Sequence, residues 1–173
     1  MLCSCYLIEM SDGQHILINS GFPPDVLPPP QAPRPQNEKN VLQHLSELAL
    51  NPEEISTVVC THCDVDHGGY HDSVQHAEFV VRGRHFDLAR GGHPRYAARS
   101  HWDHPALKYC LIDSDFELAP GPRLVETSGL PPDINLYWCT CREPARCYWR
   151  SMPWSCNDGK PWKMLTKAPR YCD

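Results

Sequence analysis

The sequence of 173 residues contains no long apolar run and no excess of basic residues. No stretch approaches the roughly 18 apolar residues that a membrane-spanning helix requires, so we expect no membrane partner. The first ten residues lack a basic region, and their apolar run meets Glu9 early. We therefore expect no secretory signal and a cytoplasmic location. The net charge of −5 gives no electrostatic reason to expect nucleic acid as a partner.

Histidine is absent from the last 44 residues, although the chain contains 10 histidines. These residues hold five of the ten Cys and four of the five Trp, and their 7 basic residues outnumber 4 acidic ones. Residues 1–129 instead contain 9 basic and 17 acidic residues. This shift predicts one domain over residues 1–129 and a poorly ordered Cys/Trp-rich tail over residues 130–173. The chain is too long and too rich in His and Asp for a small disulfide scaffold, so we expect most thiols to be reduced.

Four side chains that can bind a metal ion lie within six residues of one another: His62, Asp64, Asp66 and His67. They follow the β-branched run 55–60, which predicts a buried strand with the cluster in the loop at its exit. Such a loop can hold two adjacent metal positions, the first at His62 and Asp64, the second at Asp66 and His67. Imidazole suits zinc and iron, and carboxylate adds a preference for manganese, so the composition favours a two-metal site that activates water. The alternative is a solvated polar turn.

We call residues 61–68 the His/Asp loop. Cys60 immediately before it and Cys63 within it have the spacing C-x-x-C. C-x-x-C is both a redox and a zinc spacing. A thioredoxin-like motif would begin a helix at the second Cys, whereas here the chain continues into an acidic loop and a Gly-Gly pair. A zinc ribbon would need a second C-x-x-C, and the sequence has none. Metal binding by the His/Asp loop is therefore the favoured interpretation.

The remaining patterns predict short strands and helices in a layered α/β domain. Residues 3–9 and 15–19 form a predicted hairpin around an Asp-Gly turn. An apolar face over residues 41–49 predicts a helix with Asn37 as its N-cap. Further short strands are predicted over residues 78–81, 109–112, 116–118 and 123–126, and helices over residues 85–90 and 95–100.

Two further histidines, His71 and His101, are considered as ligands. His71 follows the Gly-Gly pair at the start of a predicted short helix, and we expect it on the helix surface. His101 stands in the segment His-Trp-Asp-His-Pro; substrate contact is an alternative for this segment, but we expect His101 on a lid or loop surface. Neither is predicted as a metal ligand.

The His/Asp loop resembles the H-x-H-x-D-H signature of the metallo-β-lactamase superfamily, with Asp64 where the second His usually stands. Residues 5–8 and 15–23 resemble the opening strands and turn of its N-acyl homoserine lactonase branch, and residues 116–127 resemble the strands that lead to its third metal-binding His. The resemblance covers residues 3 to 129. It implies an αββα sandwich, of which this chain has the amino-terminal portion, and Asn19 in place of an Asp that supports the metal site.

The resemblance implies a zinc-dependent hydrolase, with manganese or iron as alternatives. In the family, a metal-bound hydroxide attacks the carbonyl of a lactone or ester while the metals polarise its oxygen. Asp66 would be both a metal ligand and the residue that orients this water. A glyoxalase II-like thioester hydrolase and a non-catalytic remnant stay open as alternatives, because the loop motif is shared across reactions. The third His, bridging Asp and last His of the family have no counterpart here, so we expect poor metal affinity and impaired activity.

The composition of the tail is typical of a reading frame shifted by one base, because Trp and Cys share codons of the TGN type. Back-translating residues 131–135 in the frame one base earlier permits Thr-Pro-Gly-His-Gln, the third-His motif of the resembled family. The same frame over residues 140–154 permits an apolar strand carrying the bridging Asp. We therefore predict a frameshift near Gly129 or Leu130. The alternative is a genuine Cys/Trp-rich tail with its own metal or disulfides.

Overall fold

A computed structural model describes residues 5–27, 39–96, 98–127, 136–141 and 148–152. The chain opens with the predicted hairpin, in which β1 (Cys5–Glu9) pairs antiparallel with β2 (His15–Ile18). Gly13 has a φ of 87° in the turn, a conformation that glycine adopts without a steric cost. The other strands are β3 (Ile55–Cys60), β4 (Glu78–Arg82), β5 (Lys108–Ile112), β6 (Phe116–Glu117), β7 (Pro122–Thr127), β8 (Leu136–Cys141) and β9 (Tyr148–Met152).

The helical elements of the described residues are all short. Three are α-helices: α1 (Val41–Glu47), α2 (Gly83–Arg90) and α3 (Arg99–Trp102). Three are 3₁₀ turns: Pro52–Glu54, His71–Val74 and Pro94–Tyr96. None of the helices in these residues is long and apolar enough to cross a membrane.

The strands form two sheets. The larger has the order β5-β4-β3-β2-β1-β9, and the smaller has the order β6-β7-β8. In the larger sheet β2, β3, β4 and β5 run parallel to one another, whereas β1 is antiparallel to both of its neighbours. Strand β3 lies between β2 and β4, so both of its edges are paired.

Successive side chains of a strand point to opposite faces of its sheet. In the larger sheet apolar residues stand at successive positions, so both faces are buried. On one face Leu7 and Leu17 pack with Val41 and Leu45 of α1. On the other face Ile8 and Ile16 pack with Leu124 of β7 in the smaller sheet. The layers are therefore helix, sheet and sheet, which confirms the α/β layering that the sequence predicts.

Several element boundaries differ from the predicted ones. Asn37 lies outside the described residues, and the N-cap of α1 is Asn40, whose side chain accepts from the backbone N–H of Gln43 at 2.9 Å. The helix ends at Glu47, and Ala49 has a φ of 58°, so the apolar pattern extends past the helix itself. The helix predicted over residues 95–100 is instead a 3₁₀ turn followed by α3.

The tail contains two strands that its composition does not predict. Strand β8 pairs antiparallel with β7 over six residue pairs, from Pro122 opposite Cys141 to Thr127 opposite Leu136. Strand β9 pairs antiparallel with β1 at the edge of the larger sheet. Backbone hydrogen bonds to an existing strand can order a segment that has no apolar period of its own. The division of the chain at residue 129 stays a prediction.

Candidate metal-binding site

The His/Asp loop begins where β3, an interior strand of the larger sheet, ends. Val58, Val59 and Cys60 are fully buried, so the strand delivers the loop from the middle of the core. His62, Asp64 and Asp66 are themselves at most 8% exposed. The predicted position of the loop, at the carboxyl end of a buried strand, agrees with this geometry.

The residues that follow β2 hold the start and the end of the loop. The side-chain oxygen of Asn19 accepts hydrogen bonds from the backbone N–H and the hydroxyl of Thr61, at 3.0 and 2.8 Å. Asn19 has a φ of 59°, a region in which Asn is enriched. Ser20 donates its backbone N–H to the carbonyl of His67 at 2.7 Å, and its hydroxyl accepts from the N–H of Tyr70 at 3.0 Å. An uncharged Asn is sufficient for these contacts because each donor is neutral.

The second glycine of the Gly-Gly pair closes the loop against the turn after β2. Its backbone N–H donates to the carbonyl of Gly21 at 2.8 Å. A Cβ on Gly69 would lie 2.5 Å from that carbonyl oxygen and would overlap the backbone nitrogen and ring of Pro23. A Cβ on Gly68 would make only ordinary contacts, the nearest at 3.5 Å from Trp102. The close approach therefore requires glycine at position 69 alone.

The structure brings the four predicted side chains together as two neighbouring pairs. Nδ1 of His62 lies 3.3 Å from a carboxylate oxygen of Asp64, and Nε2 of His67 lies 3.4 Å from a carboxylate oxygen of Asp66. The two pairs adjoin, since the ring centroids of His62 and His67 are 3.8 Å apart. Their assignment as metal ligands stays a prediction.

His62 is held in its neutral form. Burial, together with the neighbouring His67, lowers the pKa of His62 to about 3. Its Nδ1 is buried and makes no hydrogen bond within the described residues. A neutral imidazole keeps a ring-nitrogen lone pair that can bind a cation, although its lowered pKa makes it a weak base.

Asp64 has a partner that the sequence does not indicate. Nε of Arg95 donates to one carboxylate oxygen at 2.7 Å, and Nη2 donates to the other at 2.6 Å. These hydrogen bonds from Arg95 raise the pKa of its own guanidinium. The contact joins residues 31 positions apart, so no local spacing could have predicted it.

The four residues alone do not fit a complete two-metal centre. Catalytic zinc normally has three protein ligands and an open position, whereas the loop supplies two residues to each position. Among the described residues, no group of three or more His, Cys, Asp or Glu is arranged to hold a metal ion. Both carboxylate oxygens of Asp64 are already bound by Arg95. The loop therefore needs further ligands before it can hold metal tightly.

The expected surface positions of His71 and His101 are wrong. His71 is fully buried, with its ring 4.9 Å from that of Phe79, because its 3₁₀ turn packs on the sheet. Burial lowers the pKa of His71 to about 3. His101 is 9% exposed, and its Nε2 lies 2.9 Å from a carboxylate oxygen of Asp25. Packing of α3 against the 3₁₀ turn at His71–Val74 covers both rings.

The C-x-x-C pair is buried, and both cysteines are free. Sγ of Cys60 and Sγ of Cys63 are 4.0 Å apart, and both residues are fully buried. The hydrogen bond with Cys60 and burial raise the pKa of the Cys63 thiol. No helix starts at Cys63; its backbone N–H instead donates to Nε2 of His85 at 2.9 Å. A buried thiol with a raised pKa is unreactive, which disfavours the thioredoxin-like alternative.

A family comparison decides which fold these layers belong to. The model of the metallo-beta-lactamase superfamily matches residues 1–140. The chain belongs to this superfamily. The resemblance noted in the His/Asp loop is thereby confirmed, and the helix–sheet–sheet layers are the amino-terminal portion of the metallo-β-lactamase fold. Members of this superfamily are metal-dependent hydrolases.

Curated relatives within the superfamily are lactonases. An N-acyl homoserine lactonase of Bacillus cereus is 23% identical over 139 residues, which cover 74% of this chain and 54% of the relative. A second N-acyl homoserine lactonase, from a Bacillus species, is 24% identical over the same extent. The chain thus spans about half the length of the curated relatives it matches.

Solved structures of superfamily members share the fold. A quorum-quenching N-acyl homoserine lactone lactonase superposes with a TM-score of 0.62 at 24% identity, covering 77% of this chain and 52% of the other. A variant of the Bacillus thuringiensis lactonase AiiA, with N-decanoyl-L-homoserine bound at its active site, has a TM-score of 0.63 at 23% identity; the coverage is 77% of this chain and 55% of that one.

Proposed function

We propose that this chain is the loop-bearing part of a metal-dependent hydrolase that opens N-acyl homoserine lactones. The observation that carries the proposal is the His/Asp loop at the end of β3, where two His/Asp pairs adjoin with His62 and His67 3.8 Å apart between ring centroids. The proposed metal is zinc, with manganese or iron as alternatives. The lactone substrate is inferred from the relatives, and its binding needs no nucleic acid or membrane.

Asp66 is the proposed catalytic residue. It is 4% exposed, and one carboxylate oxygen lies 3.4 Å from Nε2 of His67. It occupies a position of the loop signature that matches the family without change, whereas Asp64 departs from that signature. Asp64 is also bound by Arg95 through both oxygens. We therefore assign the main metal contacts to Asp66 and His67; His62 and Asp64, the other two predicted ligands, contribute only where Asp64 is released from Arg95.

We further propose the domain division and the frameshift that the composition of the tail predicts. Residues 1–129 form the metallo-β-lactamase-like domain, and residues 130–173 are translated in a shifted frame. Residues 130–173 contain no His, so in this frame they supply no further His ligand. Two protein ligands per metal position are fewer than zinc normally has, so we propose poor metal affinity and low activity for the sequence as given.

A cytoplasmic location is proposed from the state of the cysteines. Cys5, Cys60, Cys63 and Cys110 are all free in the described part of the chain. Free cysteines are typical of a reducing compartment, because disulfides persist mainly in oxidising ones.

The proposal is tested by hydrolysis assays with three classes of substrate. The purified chain is stripped with a chelator, reloaded with zinc or manganese, and given an N-acyl homoserine lactone, an aryl ester and an acyl thioester. We expect slow lactone hydrolysis that depends on added metal and is lost in Asp66→Asn. Faster thioester hydrolysis would support the glyoxalase II-like alternative. Turnover that is equal with and without metal, or absent altogether, would support the non-catalytic remnant.

A further inference from the structure

We propose that Arg95 takes the place of a metal ion at the His62–Asp64 end of the His/Asp loop. This end then carries a fixed cation, and the loop offers only the Asp66–His67 end to a divalent metal. The inference rests on the proposed function, because it specifies how many metal positions the hydrolase loop provides. Arg95 is a positioning residue in this account and takes no part in the reaction itself.

The first argument is the geometry of the ion pair. Arg95 donates from Nε and Nη2 to the two carboxylate oxygens of Asp64, at 2.7 and 2.6 Å. This is the two-point arrangement in which a planar guanidinium binds a carboxylate most strongly. Asp64 is 8% exposed, so its carboxylate is poorly hydrated and depends on a cation for compensation.

The second argument is the way in which the chain presents the guanidinium. Arg95 lies in the 3₁₀ turn Pro94–Tyr96, and the next residue, Tyr96, is only 2% exposed. The Tyr96 ring packs edge-on against His85, with ring centroids 5.1 Å apart. This burial anchors the backbone of the turn beside the loop, and the Arg95 side chain, 48% exposed, reaches Asp64 from there.

The third argument links Arg95 to the unusual residue in the loop. The superfamily signature has His at position 64, and a neutral imidazole could not form a two-point ion pair with a guanidinium. A carboxylate can. The two residues are therefore explained together: Asp64 stands in place of a His ligand, and Arg95 stands in place of the metal ion. A divalent ion that also bound Asp64 would lie close to the guanidinium, and like charges at that distance repel.

The expected effect is a gain of metal binding when Arg95 is removed. Zinc affinity is measured by competition with a chromophoric chelator, and cobalt(II) absorption reports the number and geometry of bound ions. We expect Arg95→Gln to bind zinc at least about tenfold more tightly than the original chain, or to take up an additional ion. Arg99→Gln is the matched control, because Arg99 pairs with Asp103 and does not contact the loop; its zinc affinity should be unchanged.

Two further variants keep the proposal open to contradiction. Arg95→Lys retains the charge without the planar fork, and we expect zinc affinity between those of the original chain and Arg95→Gln. Asp64→His in the Arg95→Gln background should produce the largest gain. The proposal would be overturned if Arg95→Gln bound zinc no more tightly than the original chain. It would also be overturned if neither the original chain nor Arg95→Gln bound zinc. Absence of lactone hydrolysis with a tenfold gain in zinc binding would instead overturn only the proposed function.

Discussion

Restoring one base near codon 130 is expected to raise lactone hydrolysis by more than about 100-fold and to raise the amount of bound metal per chain. The expectation follows from the proposed frameshift, because residues 130–173 contain no His in the present frame. Loss of a residue that merely supports a metal ligand costs about 10- to 100-fold in affinity or activity, so loss of ligands themselves should cost more. The restored frame would supply the third His and the bridging Asp of the superfamily.

The measurement compares the two chains, expressed and purified in parallel, for solubility, zinc per chain and lactone turnover. A version of the original gene with synonymous codons across 126–135 controls for effects of the nucleotide change on expression. The frameshift account is wrong if the original chain is equally soluble, holds as much metal and hydrolyses the lactone as fast. The Cys/Trp-rich tail would then be a functional segment.

Gly69→Ala is expected to destabilise the fold by about 3 kcal/mol, at the upper end of the usual cost of overpacking. The added Cβ would lie 2.5 Å from the carbonyl oxygen of Gly21 and would overlap the backbone of Pro23, so backbone must move. The same turn supplies the contacts that hold the His/Asp loop through Asn19 and Ser20. We therefore expect weaker zinc binding as well as lower stability.

Gly68→Ala is the matched control for this substitution, because a Cβ there has its nearest neighbour at 3.5 Å. Urea unfolding of both variants and the original chain gives the free energies of unfolding. We expect Gly68→Ala to lie within about 1 kcal/mol of the original. Equal stabilities for the two variants would contradict the close approach of the loop to the turn after β2.

The parts of the fold that the sequence predicts are those with a strong local pattern. Strand β3 matches the predicted run 55–60 residue for residue, because a β-branched segment between turn residues has few alternatives. The hairpin of β1 and β2 is predicted because Asp-Gly marks its turn. The His/Asp loop is found at the predicted strand exit for the same reason, since strand and motif adjoin in the sequence.

The parts that the sequence does not predict depend on contacts between distant residues. Arg95 reaches Asp64 only because the 3₁₀ turn Pro94–Tyr96 packs beside the loop. His71 is buried because its turn faces the sheet, and a polar residue in a short helix gives no local sign of that orientation. Strand β8 forms by pairing with β7, so its order comes from its neighbour and not from its own composition.

The most direct test of the central claim compares zinc binding by Asp66→Ala and Asp64→Ala in the original chain. The claim is that the Asp66–His67 end of the His/Asp loop is where metal binds, because Asp64 is already paired with Arg95. We expect Asp66→Ala to weaken zinc binding by at least about tenfold, or about 1.4 kcal/mol, and Asp64→Ala to change it less. A larger loss of zinc affinity in Asp64→Ala than in Asp66→Ala would contradict the account.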